Sequence, residues 1–224
     1  MLDYRVISIG TLSAHPLWDE QTPVRTAHAT TSLIRADDKV ILVDPGLPAP
    51  AVGAHLHERA GLKPADITDV FLTNFRPAHR RGLDAFDHAN WWISQREREV
   101  VGQHLVALFQ HADDQQVADV IKHDIALLQR CKPADDQLAE HVDLFPLPGF
   151  TPGGCGLLIS LNAATVLIAS DAMPTAEHLL KGQVLSGAFD LDAARTSFAE
   201  AVEIADWIIA GHDNLLPNLT RRFM

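Results

Sequence analysis

The sequence is poor in thiols, in basic charge and in long apolar runs. Two cysteines in 224 residues, Cys131 and Cys155, are too few for a disulfide framework, and a chain this long buries enough surface to do without one. A reducing, cytoplasmic setting is expected. Lys and Arg number 18 against 29 Asp and Glu, a net charge of −11. Binding to nucleic acid or to an anionic membrane needs clustered cations. The densest clusters, Arg76 with Arg80 and Arg81, and Arg221-Arg222, are short, so neither partner is expected. No apolar stretch approaches the roughly 20 residues that cross a bilayer. Met1-Leu2-Asp3-Tyr4-Arg5 carries an acid where a secretory signal would run apolar.

Missing motifs narrow the chemistry. There is no phosphate-cradling G-x-x-x-x-G-K-[ST], no G-x-G-x-x-G after a strand, no G-x-S-x-G elbow and no H-E-x-x-H helix. Nucleotide binding, serine hydrolysis and helix-type zinc proteolysis lose their usual signals. Without C-x-x-C, thiolate zinc sites and dithiol redox work are not expected either.

What is present is alternation of strand and helix patterns. Val6–Ile9 reads as a strand. Ser32–Arg35 and Lys39–Val43 read as a hairpin around Ala36-Asp37-Asp38. Ala51–Ala60 is helical, with Gly61 as its stop. Asp69–Thr73 and Trp91–Ser94 read as strands. From Arg96 to Cys131 apolar residues recur every three or four positions, which predicts one or two amphipathic helices broken near His111–Asp114. Val142–Leu147 is a strand, and Gly156–Leu161 with Thr165–Ala169 a second hairpin. Leu191–Ala205 is helical and Trp207–Ala210 a last buried strand. Strand clusters at both ends with helices between predict two sheets packed face to face and covered by helices, within one domain spanning 1–224.

Polar residues follow four of the strands: Thr73–His79, Pro148–Gly153, Ser170-Asp171-Ala172 and Gly211-His212-Asp213. Side chains just beyond strand ends are fixed by the scaffold, which suits a functional site.

With Ile41–Gly46, Val70–Thr73, His79, Gly82-Leu83, Pro148–Gly153, Ser170–Ala172 and Gly211-His212 in this order, the sequence resembles the metallo-β-lactamase fold superfamily, which includes glyoxalase-II-like hydrolases. The resemblance runs nearly end to end and implies an α/β fold, a four-layer αββα sandwich, with the 96–131 insert over the pocket. It also implies two metals held by T-H-x-H-x-D-H, a His after P-G, a bridging Asp and a final His. Here the signature reads Thr73-Asn74-Phe75-Arg76-Pro77-Ala78-His79, and Phe150 stands for the His after P-G. Only His79, Asp171 and His212 match. The expectation is therefore no metal or one divalent ion (Zn, Fe or Mn) on those three residues, and not two.

Arg76 is a permanent cation with five donors and no acceptor, so it cannot ligate a metal. It is expected to neutralise Asp171 where the first metal of the family sits. Two functions follow. One is a non-catalytic or altered relative whose pocket binds a small polar or anionic ligand through Asn74 and Arg76. The other is a mononuclear metal-dependent hydrolase of an ester, thioester or phosphoester, with Asp171 as ligand and general base. The amphipathic insert can cover the pocket or pair with a second chain. His55 and His57, two apart on a helix, do not share a face. His15, Trp18 and His28 are expected to pack the long early loop, and Asp213 either orients His212 or starts a turn.

Overall fold

The computed structural model describes residues 2–220, so Met1 and the Arg221-Arg222 pair lie outside the described residues. Two six-stranded sheets form the centre. The first runs in chain order from β1 (Asp3–Ser8) through β2 (Thr31–Ala36), β3 (Lys39–Val43), β4 (Asp69–Leu72) and β5 (Asn90–Ile93) to β6 (Lys132–Pro133). The second holds β7 (Gln137–Ala139), β8 (Val142–Pro146), β9 (Cys155–Ser160), β10 (Thr165–Ser170), β11 (Trp207–Ala210) and β12 (Leu215–Pro217), again in chain order.

Strand alternation explains the layering. Along β2 and β3, Leu33 and Leu42 face one way, and Ile34, Ile41 and Val43 the other. The second set meets Leu157, Ile159, Val166, Ile168 and Ile209 of the opposite sheet, which makes the dry layer between the sheets. Leu33 and Leu42 pack with Val52 and Leu56 of α1 (Ala49–Ala60) and with Trp91 and Leu128. On the far side, Leu167, Ala169 and Ile208 pack on Ala201 of α6 (Leu191–Ile204), with Ala205 just beyond its end. The order is thus helix, sheet, sheet, helix.

The hairpins fall where the sequence puts them. Asp37 takes a left-handed φ of 55° in the two-residue turn between β2 and β3, a conformation Asp tolerates better than most residues. The long amphipathic stretch divides into α3 (Gln95–Gln110) and α4 (Gln115–Arg130). Asp114 caps α4 by accepting from the Gln116 and Val117 N–H groups. Three short strands, β6, β7 and β12, and two short helices, α2 (Pro77–Arg80) and α5 (Ala176–Lys181), are too brief to show a periodic pattern. Among the described residues no helix is long and apolar enough to cross a membrane.

The fold positions a site because β3–β4 and β10–β11 are parallel pairs. Their carboxyl ends point the same way, so Asp44 and Thr73 emerge from one sheet beside Asp171 and His212 from the other.

Candidate metal and ligand site

Each side chain of the site is held by the strand end that carries it. Asp44, one residue past β3, sits at φ 50° and turns its carboxylate under the start of the next loop. Its Oδ1 accepts from the Thr73 N–H at 2.9 Å, and its Oδ2 accepts from the Thr73 hydroxyl at 2.6 Å. The same Oδ2 lies 3.0 Å from Nδ1 of His79, in α2. His79 is fully buried, and its Nε2 lies 3.1 Å from Oδ2 of Asp171. Asp171 Oδ2 also accepts from Asn74 Nδ2 at 2.9 Å, and Oδ1 faces His212 Nε2 at 2.9 Å. His212 Nδ1 lies 3.0 Å from the His28 carbonyl oxygen. All four ring nitrogens of the two histidines therefore face an oxygen.

Close backbone approach makes this meeting feasible. A Cβ on Gly211 would fall 2.4 Å from the Ser170 carbonyl oxygen, so only glycine lets the end of β11 approach β10 closely enough. Ser170, at φ 52°, shares a 2.6 Å hydrogen bond with the Thr73 hydroxyl. Two non-glycine residues in the left-handed region thus flank the cluster, a pattern common where structure is constrained for function.

Electrostatics follow from burial and pairing. Burial works against charge on His79, but the carboxylates of Asp44 and Asp171 outweigh it and push the imidazole up to about 10. Burial would raise Asp171, yet the His79 charge and the His212 hydrogen bond hold it well below the usual carboxylate range.

Arg76 is the correction. It does not neutralise Asp171. Both oxygens of Asp171 are already taken by His79, Asn74 and His212. Arg76 is exposed and lies at the entry to α2, ahead of Pro77, and its guanidinium carbon sits 4.7 Å from the Phe150 ring centroid. The arginine ion pairs among the described residues are those of Arg25, Arg80, Arg130 and Arg195. Asn74, by contrast, does enter the cluster. Its amide also accepts from the Arg76 N–H at 3.0 Å, which folds the loop back on itself.

Asp213 does not orient His212. Its carboxylate accepts from the Ala176 N–H at the start of α5 instead, and the His28 carbonyl does the orienting. His15 packs in the early loop, stacked on Trp18 at 4.2 Å, and shares the Thr175 hydroxyl with His178.

Sequence reasoning missed Glu97. It sits in the first turn of α3 and is buried, and its two oxygens accept from the Phe75 N–H at 3.2 Å and the Gly153 N–H at 2.8 Å. It thereby staples the loop carrying Asn74 and Arg76 to the loop carrying Phe150. Gly153 permits this, because a Cβ there would fall 2.1 Å from the Glu97 nitrogen. Burial raises the Glu97 carboxyl, against the two N–H groups that lower it. The available signal was Ser94-Gln95-Arg96-Glu97, a helix-start pattern. Ser94 does cap α3, but the acid turns to the loops.

Donor chemistry tests the metal. Both imidazoles are fixed at Nδ1 by an oxygen and direct Nε2 at Asp171, the outer arrangement that metal-bound histidines use. One donor atom each from His79, Asp171 and His212 lie within 4.8 Å of one another. Two imidazoles and a carboxylate fit one divalent ion. Phe150 offers no lone pair and Arg76 repels a cation, while Ala78 stands where the resemblance would put a carboxylate beside His79, Asp171 and His212. The space between Asn74, Phe150, Ser170 and Asp171 is about 10 Å³, roughly one water.

Beyond Phe150 lies a cavity of about 560 Å³ between α3 and the 187–189 loop, with Arg76 at its edge.

Among solved structures, the chain is similar to AidC, a dizinc quorum-quenching lactonase, at 22 % identity and a TM-score of 0.64, over 83 % of this chain and 72 % of that one. It is similar to an N-acyl homoserine lactone hydrolase with the product N-hexanoyl-L-homoserine at its catalytic metal centre, at 21 % identity and a TM-score of 0.64, over 95 % and 92 %. The hydrolase AbOPH matches at 18 % identity and a TM-score of 0.65, over 96 % and 84 %. At these identities the likeness is one of fold. No curated protein matches the sequence. The metallo-β-lactamase superfamily profile matches residues 25–212, and with the two-sheet fold and the His79, Asp171, His212 cluster already in view, the chain belongs to the metallo-β-lactamase superfamily.

Proposed function

We propose that this protein is an altered metallo-β-lactamase relative that has lost the dinuclear zinc site and binds a small anionic ligand beside Arg76. One observation carries the reading: the positions that hold the family's other ligands carry Asn74, Arg76, Ala78 and Phe150, none of which brings an imidazole or a carboxylate. His79 lies against Asp44 and Asp171 through its two ring nitrogens, at 3.0 and 3.1 Å. Protonated, it places a positive charge beside Asp171, and neutral it keeps one lone pair for a metal.

The ligand-binding half of the reading rests on Arg76. A guanidinium free of carboxylates, at the edge of a cavity and backed by an aromatic ring, is prepared for an anion. Asn74 keeps its amide on Asp171 and serves to hold the loop.

A second reading is favoured by the convergence of His79 Nε2, His212 Nε2 and Asp171. In it these three residues hold one divalent ion, which when bound supplies an activated water for hydrolysis. The chain's own contribution is to orient both rings through Asp44 and the His28 carbonyl, and to offer Asp171 as an acceptor of the water proton.

Metal analysis of the purified protein, with binding of a carboxylate probe, separates the two. Less than a tenth of an equivalent of Zn, Fe or Mn, with a melting temperature indifferent to chelator and carboxylate binding lost in Arg76→Gln, is the expected outcome. One equivalent that disappears in both His79→Ala and His212→Ala gives the hydrolase reading instead. Two equivalents overturn the first reading outright.

A further inference from the structure

The cavity beside Arg76 has a chemistry of its own. Its walls are Val100 and Val101 from α3, Phe150 and Pro152 from the loop after β8, and Phe189. Phe189 is 67 % exposed and contributes an apolar ring to the lining. The volume of about 560 Å³ lies within the range of small-molecule sites. Arg76 is the lining cation that carries charge at every working pH, and it stands in a chain of net charge −11. Gln103 and His104 add a polar edge on the same helix.

One guanidinium against mostly apolar walls selects an amphiphile with a single compact negative charge. A guanidinium fork matches a carboxylate in two parallel hydrogen bonds. A phosphate dianion asks for further fixed donors, and a neutral apolar ligand leaves the arginine without use. We infer that the cavity takes a monocarboxylate carrying an unbranched acyl chain, its head on Arg76 and its chain running along Val100, Val101 and Phe189. This rests on the anion-binding reading above and specifies its ligand class. The geometry assigns the head-group role to Arg76 and the chain-length role to Phe189, which lies outside the signature.

Calorimetric titration of the full chain with acetate, hexanoate, octanoate, 1-octanol and inorganic phosphate tests it. Each methylene buried should tighten binding roughly fourfold, so octanoate should exceed hexanoate by about fifteenfold. Arg76→Gln should weaken octanoate by about tenfold or more. Phe189→Ala should flatten the chain-length dependence while leaving the head group bound. If acetate or phosphate binds as tightly as octanoate, and Arg76→Gln abolishes it, the acyl class is wrong and the anion reading survives. If 1-octanol binds as well as octanoate and Arg76→Gln changes nothing, or if no anion binds at all, both fall.

Discussion

Asp44 Oδ2 lies 3.0 Å from Nδ1 of His79, with both side chains almost wholly out of solvent. The pair ties the end of β3 to α2, and through His79 it reaches Asp171 on the other sheet. One imidazole thus joins the two halves of the sandwich, and its charge state becomes a property of the whole fold.

Stability should therefore fall at alkaline pH. His79 titrates near 6.5 in the unfolded chain and is pushed up to about 10 in the fold. Its contribution is complete below about pH 6.5 and is lost progressively as pH rises towards 10. Asp44→Asn, which tolerates the left-handed backbone, should cost about 3 kcal/mol at neutral pH and flatten that alkaline slope. Urea denaturation of both proteins across pH 6 to 10 measures it. A slope unchanged in Asp44→Asn would remove the pair from the account.

A second titration works at the acid end. Burial, and then the nearby His15, lower His178 to about 4. A histidine whose folded value is lowered stabilises through its neutral form. That contribution is full above about pH 6.5 and declines as pH falls towards 4. Melting temperatures of the native chain and His178→Gln should converge on acidification; parallel curves would show that the ring carries no such linkage.

Restoring the family's ligands should restore its metals. Asn74→His, Arg76→His, Ala78→Asp and Phe150→His together return imidazoles and a carboxylate, and of these positions Asn74 and Phe150 line a space of only about 10 Å³ beside Asp171. Removing the Phe150 ring opens room for the second ion. Metal analysis should find close to two equivalents of zinc in the quadruple variant. A folded variant holding one or none would mean that the loops have moved from the family's geometry.

Glu97 should matter more than its place in the sequence suggests. Glu97→Gln keeps the size but provides one acceptor where two backbone N–H groups now find oxygens. An N–H left buried and unpaired costs on the order of 2 kcal/mol. Chemical denaturation should show a loss of about that size, and Glu97→Ala a larger one. A neutral outcome for Glu97→Ala would mean that water replaces the carboxylate.

Much of the architecture was legible from period and punctuation. The alternation of Leu33, Ile34, Ile41, Leu42 and Val43, the helical spacing between Arg96 and Cys131, and the polar groups after four strands all follow from local chain geometry. The meeting of His79, Asp171 and His212 was implied by the family resemblance and is seen in their donor distances. The pairing of Arg76 was not legible. Asp171 has only two oxygens, and which donors reach them depends on the angles at which α2 and two sheet ends meet. A local sequence carries no such angles.

The amino-acid order alone set the two sheets, their helical covers and the identity of the groups at the strand ends, because side-chain period and turn chemistry are short-range properties. The tertiary structure decided which charge answers Asp171, that Glu97 spans two loops, and that Arg76 leaves the cluster for Phe150. These are choices among competing partners brought together from 22 to 97 residues apart, and only tertiary packing resolves them.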